Sequence, residues 1–197
     1  MNFMEETKQC GPVINAPAPV FTAEAFHNNT TKRVYLSDYK GKWVLVVFYP
    51  ADFTFVCPTE LGDLADKYSE FQQLGAEILS VSTDTVFVHK AWYEASSTIA
   101  KIKFPMLADP TGKMCADYGT YITEEGHSLR GTFLIDPDGI LRAYEMHDNS
   151  IGRSSTELLR KLKAAQFVRE NGGHVCPANW EPGNKTLQPS LDEVGKI

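Results

Sequence analysis

A thiol, a hydroxyl and a carboxylate fall within one short stretch of the chain, Pro50-Ala51-Asp52-Phe53-Thr54-Phe55-Val56-Cys57-Pro58-Thr59-Glu60. A thiol is a strong nucleophile only as its thiolate, and an unperturbed one ionises at about pH 8.5. A helix N-terminus favours the anion through unpaired N–H groups and partial positive charge, but the dipole supplies only about 0.3–1 kcal/mol at exposed sites. Moving a thiol from about 8.5 to about 6 takes roughly 3.4 kcal/mol, at about 1.36 per unit. A cation or several direct donors from elsewhere in the chain must therefore supply the rest. Thr54 stands close enough upstream to bring its hydroxyl beside the sulfur. Burial as a small inert hydrophobe is the commonest fate of a single cysteine, and the setting of Cys57 speaks against it.

That setting is a strand running into a helix. Trp43-Val44-Leu45-Val46-Val47-Phe48-Tyr49 is apolar, β-branched and aromatic, so it reads as a buried strand that Pro50 ends for want of an N–H. Beyond Cys57 the period changes. Leu61, Leu64, Ala65, Tyr68, Phe71 and Leu74 recur at steps of three and four, one face of a helix. Pro58 suits the first helical position and Gly75 the stop.

Residues 76–82 read as a second buried strand, so 43–82 form a βαβ unit with parallel strands and a right-handed crossover. Helices are expected over 85 to about 95, over 112–118 and over 154–171, the last with Leu158, Leu159, Leu162, Ala165 and Val168 inward. Residues 33–36 read as a short strand after a turn at 28–32. Residues 130–135 and 140–146 read as a hairpin closed at 136–139. Residues 1 to about 12 are a loosely held lead-in, 13–21 an extended edge segment or loop, and 172–197 a tail without periodicity. The order implies an α/β chain, with a mixed central sheet flanked by helices on both faces.

The string from Phe48-Tyr49-Pro50 to Cys57-Pro58-Thr59-Glu60 resembles the active-site signature of the peroxiredoxins, Pro-x-x-x-Thr-x-x-Cys. From Trp43 to Ile197 the chain is similar to the typical two-cysteine class, and within it to the bacterial alkyl hydroperoxide reductase branch. The resemblance implies one thioredoxin-like domain over 1–197, with an N-terminal extension and with 172–197 as a C-terminal tail. It implies that Cys57 is the peroxidatic thiolate, that Thr54 accepts from the peroxide O–H, and that Pro50 shields the sulfur from water. Arg130, in Leu129-Arg130-Gly131-Thr132-Phe133, matches the family's active-site arginine and would be the required cation, held by Glu60. Arg153, in Ile151-Gly152-Arg153, matches a second arginine near the site, where pairing at a helix start explains it nearly as well. Cys176, in His174-Val175-Cys176-Pro177, matches the resolving cysteine, which implies an intersubunit Cys57–Cys176 disulfide and local melting of the Cys57 helix turn. A homodimer, and a decamer of five dimers, follow from the same likeness. The chain lacks Gly-Gly-Leu-Gly between Trp92 and Pro105 and lacks a terminal Tyr-Phe pair, so fast disulfide formation and resistance to sulfinic overoxidation are expected.

Composition narrows the alternatives. The 197 residues carry a net charge of −6 and 43% hydrophobic residues, enough for a sizeable core and without a basic stripe for nucleic acid or anionic membrane. No apolar run approaches the roughly 18 residues of a membrane span, and Met1-Asn2-Phe3-Met4-Glu5-Glu6 is not a secretory leader, so a cytoplasmic protein is expected. Cys10, Cys57, Cys115 and Cys176 form no Cys-x-x-Cys, and the five histidines show no metal spacing. Neither metal nor cofactor is expected. Cys115 reads as structural, Phe53 and Trp92 as packing, and Cys10 has no assigned role. A thiol peroxidase, drawing electrons from a flavoprotein disulfide reductase or thioredoxin, is the leading reading. A thioredoxin-like disulfide oxidoreductase would reduce insulin without peroxide, and the missing Cys-x-x-Cys weighs against it. A redox-regulated chaperone ring would suppress client aggregation even as Cys57→Ser.

Overall fold

The computed structural model describes residues 11–195. Its main sheet has seven strands: β1 (Thr22–His27), β2 (Thr30–Tyr35), β3 (Trp43–Phe48), β4 (Ala76–Ser82), β5 (Met106–Ala108), β8 (Arg130–Ile135) and β9 (Leu141–His147). They lie in the order β2-β1-β5-β4-β3-β8-β9. β3, β4 and β5 are parallel, and every other pair is antiparallel. The expected βαβ unit is present, with Trp43 opposite Ala76 and Phe48 opposite Val81. A separate two-stranded ribbon, β6 (Tyr121–Ile122) and β7 (His127–Ser128), was not anticipated.

β3 is buried along its whole length because both faces of the sheet are covered. Leu45, Val47 and Tyr49 point into one cluster with Leu61, Leu64, Phe71, Trp92 and Leu159. Val44, Val46 and Phe48 point into the other with Tyr118, Phe133 and Met114. The first cluster packs against α1 (Cys57–Asp66), α2 (Tyr68–Gln73), α3 (Val86–Ala95) and α5 (Ser155–Glu170), and the second against α4 (Lys113–Asp117).

Three expectations change. The single helix after Cys57 is two, broken at Lys67 (φ −104°, ψ 4°), and both pieces still lay Leu61, Leu64, Tyr68 and Phe71 on the sheet. β1 was missed because its outward residues are polar and Thr22 and Glu24 dilute the alternation. It pairs with β2 through a two-residue turn at Asn28 and Asn29, both at positive φ, the geometry of a tight hairpin. Val168 is 43% exposed, not inward, because the apolar stripe of α5 leaves the sheet after Leu162 and only Ala165 still touches the core.

Between residues 172 and 195 the tail folds back on itself and packs in part against α5. Val175 bridges Leu187, and the indole of Trp180, 3% exposed, packs on Phe167 with ring centroids 4.9 Å apart. Cys10 lies outside the described residues. No helix among the described residues is long and apolar enough to cross a membrane.

Candidate active site

β3 ends at the sheet edge that also receives the start of β8, and this register assembles the site. Cys57 is the first residue of α1, Val56 is the N-cap, and Pro58 takes the second helical position, one later than the sequence implied. Proline is harmless there, since the first four N–H groups of a helix have no intrahelical acceptor. The Cys57 side chain is fully buried.

Arg130 opens β8 and turns its guanidinium onto α1. Nη1 donates to Cys57 Sγ at 3.4 Å and to Glu60 Oε2 at 2.7 Å. Nε and Nη2 both donate to the Asn149 carbonyl, at 3.0 and 2.8 Å. Arg153 grips the same carboxylate from the other side, with Nε on Oε1, Nη2 on Oε2, and its backbone N–H on Oε1 at 2.7 Å. Its Nη1 donates to the Gly131 carbonyl and the Thr132 hydroxyl. Glu60, Arg130 and Arg153 are each 3% exposed.

Charge decides what this cluster wants. Burial by itself would raise the Glu60 carboxyl, but the hydrogen bonds and charge of Arg153, with the charge of Arg130, hold it below the ordinary range. Two buried guanidinium groups then face one carboxylate, and a buried charge without a partner is expensive. The surplus positive charge stays on the guanidinium groups, and one N–H of Arg130 directs it at the sulfur. Arg153 touches Glu60 and not the sulfur, so it fixes the carboxylate that fixes Arg130.

The loop from 50 to 56 is held from beneath. Tyr49 donates its hydroxyl to Asp52 at 2.7 Å, and His89 Nδ1 lies 2.7 Å from the other Asp52 oxygen. His89 Nε2 is 3.1 Å from the Leu107 carbonyl, and the Asp52 N–H donates to Asp84. This buried frame holds Phe53 at φ 55°, an unfavourable region for a bulky residue, with its ring against Trp92. Phe53 is nonetheless 57% exposed, so packing accounts for Trp92 better than for Phe53. Pro50 is buried. Thr54 donates its hydroxyl to the Ala51 carbonyl at 2.8 Å and makes no hydrogen bond to the sulfur. Its proton is committed, which leaves the oxygen as an acceptor.

Cys176 does not join this group. It is half-buried in a groove on α5, with Asn15, Arg142, Val168 and Arg169 among the lining residues, and its sulfur lies 3.9 Å from the Ala164 carbonyl. Burial pushes this thiol up, with the Arg160 charge opposing. Cys57, Cys115 and Cys176 are all free thiols. Burial and the Asp109 charge push the Cys115 thiol far up, consistent with a packing role. Among the described residues, no group of three or more His, Cys, Asp or Glu side chains could hold a metal ion.

Sequence reasoning missed Asn149, which acts through its backbone carbonyl and so leaves no side-chain signal. It also left Tyr49, Asp52 and His89 without a role. His89 on the apolar face of α3 was the one available hint.

Comparison with known proteins decides the family. Residues 14–144 match the model of the AhpC/TSA family, and residues 164–196 match that of the C-terminal domain of 1-Cys peroxiredoxin. The chain belongs to the AhpC/TSA family of peroxiredoxins. It is 52% identical over 185 residues to alkyl hydroperoxide reductase C of Salmonella typhimurium (strain LT2), covering 94% of this chain and 99% of that one. The Staphylococcus aureus (strain Mu50) protein of the same name is 51% identical over 187 residues, with the same coverage. Among solved structures, Enterococcus faecalis AhpC matches with a TM-score of 0.81 at 47% identity, covering 84% of this chain and 99% of that one. Reduced Plasmodium vivax 2-Cys peroxiredoxin matches with a TM-score of 0.86 at 38% identity, covering 91% and 94%. This peroxiredoxin has the thioredoxin-like fold of its family, a mixed sheet flanked by helices, as the resemblance implied.

Proposed function

We propose that this peroxiredoxin reduces hydrogen peroxide and alkyl hydroperoxides, with Cys57 as the attacking thiolate and Cys176 of a second subunit as its resolving partner. The observation that carries this is the Arg130 Nη1 bridge between the Cys57 sulfur and Glu60. The sulfur attacks one peroxide oxygen; an S–O bond forms as the O–O bond breaks, and the departing oxygen leaves as water or alcohol once protonated. Arg130 faces both the thiolate and the charge that develops on the oxygens, a donor set in place before reaction. Four of its five N–H groups are engaged, and one Nη2–H has no partner among the described residues. The Thr54 oxygen accepts from the peroxide O–H, and Pro50 keeps bulk water from the sulfenic acid.

Resolution requires the Cys176 thiolate to attack the Cys57 sulfenic sulfur, forming S–S and releasing water. A disulfide needs Cα atoms within about 7 Å, and Cys57 is fully buried, so the first turn of α1 must open. A dithiol reductase then returns both thiols; a flavoprotein disulfide reductase or thioredoxin suits that chemistry. The domain reading is one catalytic unit with the segment from 172 as the tail that delivers Cys176 within a homodimer, five of which would form a decamer. The cytoplasm, where reductants keep thiols reduced, suits this cycle.

The test is intact mass under denaturing, non-reducing conditions after one equivalent of hydrogen peroxide. A covalent dimer joined through Cys57 and Cys176 is the expected product. An intrachain bridge, or a monomer carrying oxygen on Cys57, would remove Cys176 from its role. An unmodified monomer would remove the peroxidase reading itself.

A further inference from the structure

We propose that Asp148 is a positioning residue for Arg130, and through it for the reactivity of Cys57; this rests on the role just given to Cys57. Arg130 and His147 are directly opposed in the β8–β9 ladder, so the turn that follows β9 folds over the Arg130 side chain. In that turn the Ile151 N–H donates to the Asp148 carbonyl at 3.0 Å, and the Ser150 N–H donates to the Asp148 side chain Oδ1 at 2.8 Å. The side chain thus closes the turn a second time from within. The His147 ring nitrogen lies 3.3 Å from the Ile151 carbonyl, on the other flank.

The product of this turn is the direction of one carbonyl. Asn149 C=O takes both Nε–H and an Nη2–H of Arg130, a two-point grip on one edge of a planar, rigid group. With that edge fixed and Glu60 holding Nη1, the remaining Nη1–H has one direction left, toward the sulfur. The turn also passes close to α1. A Cβ built on Gly152 would lie 3.5 Å from Val56 Cγ1 and 3.9 Å from Glu60 Cγ. The turn therefore closes the site on the side opposite β3, and Asp148 sets its shape without touching sulfur, peroxide or Arg130 by hydrogen bond. Solvent exposure of Asp148 makes it dispensable for the core.

The experiment compares Asp148→Ala and Asp148→Asn in the full chain, each also combined with Arg130→Ala. Two rates are read at fixed pH: single-turnover reaction with hydrogen peroxide, and alkylation of Cys57 by iodoacetamide, which needs no peroxide chemistry. Asp148→Ala is expected to lower both by about 3- to 10-fold, the scale of one turn-closing hydrogen bond. Asp148→Asn keeps an acceptor for the Ser150 N–H and is expected to stay within about 2-fold of the parent, by the same reckoning. In the Arg130→Ala background the loss from Asp148→Ala should vanish, since the two act as a unit. Parent-like rates in Asp148→Ala, equal loss in Asp148→Asn, or an undiminished loss without Arg130 would each overturn the proposal. A parent protein inert to peroxide would instead count against the peroxidase reading, and the alkylation rates would still judge Asp148.

Discussion

Ser155 donates to the Asp63 carboxylate with both its backbone N–H, at 3.0 Å, and its hydroxyl. The contact ties the second turn of α1 to the first residue of α5. Burial would raise the Asp63 carboxyl, and the two bonds from Ser155, with the Lys67 charge, lower it below the ordinary range. Lys67, at the break after α1, donates in turn to Thr156. If resolution requires α1 to open, this latch opposes it. Ser155→Ala removes one bond, worth about 1 kcal/mol and so roughly 5-fold in the opening equilibrium. Disulfide formation after a peroxide pulse should therefore accelerate by about that factor, and the sulfinic product at high peroxide should fall. Stopped-flow tryptophan fluorescence and intact mass measure the two. An unchanged resolution rate would mean that opening does not limit it.

After loss of Cys57 itself, removing the cation should be the most damaging single change to chemistry. Arg130→Met takes away the only hydrogen-bond donor to Cys57 Sγ found among the described residues. Loss of a preformed donor of this kind lowers rates by about 10²–10³-fold. Competition against a peroxidase of known rate reads that loss, and a fall of less than about 10-fold would show that the helix N-terminus suffices.

Stability should fail in acid, and the sign follows from the carboxylates. Glu60, Asp63 and Asp136 are all held below their ordinary values, burial in each case being outweighed by hydrogen bonds and neighbouring cations. Below the ordinary carboxylate range, near about pH 4, the unfolded chain takes up protons that the folded chain still refuses, so stability drops as pH falls. The contribution is complete above that range and lost as pH passes through the depressed folded values. Urea midpoints between neutral pH and strong acid should decline mainly below about pH 4. Glu60→Gln should flatten part of that slope and lower the neutral-pH midpoint, because two buried guanidinium groups then lack their counter-ion.

Gly131, next to Arg130, is a steric checkpoint. A Cβ there would lie 2.6 Å from Thr120 Cγ2 and 2.9 Å from Phe133 Cε2. Gly131→Ala should destabilise by about 1–3 kcal/mol through overpacking, read as a lower urea midpoint. Gly172→Ala, with nothing within 4 Å, is the matched control and should leave the midpoint close to the parent value.

What the sequence made legible was whatever repeats or is spelled by a side chain. β3 announced itself as an unbroken apolar run and β4 as a shorter one around Ile78, Leu79 and Val81, while Cys57 stood out by its strand-to-helix setting and Glu60 and Arg130 by the family resemblance. β1 escaped because Thr22, Glu24 and His27 interrupt its apolar positions, and its partners β2 and β5 supply the order instead. The Asn149 carbonyl was out of reach for a different reason. Every residue has a carbonyl, and only the register of β8 against β9 singles this one out. The break at Lys67 was likewise hidden, since the apolar stripe runs through it unchanged.

The pairing of Cys57 with Arg130 spans 73 positions of the chain. During synthesis Cys57 and its helix therefore leave the ribosome well before the strand that carries Arg130, and domains generally finish folding as units. The donor that faces the sulfur arrives only when β8 slots in beside β3. On the role proposed for Cys57, its reactivity would then wait for that strand, and a chain not yet folded this far would carry the sulfur without its cation.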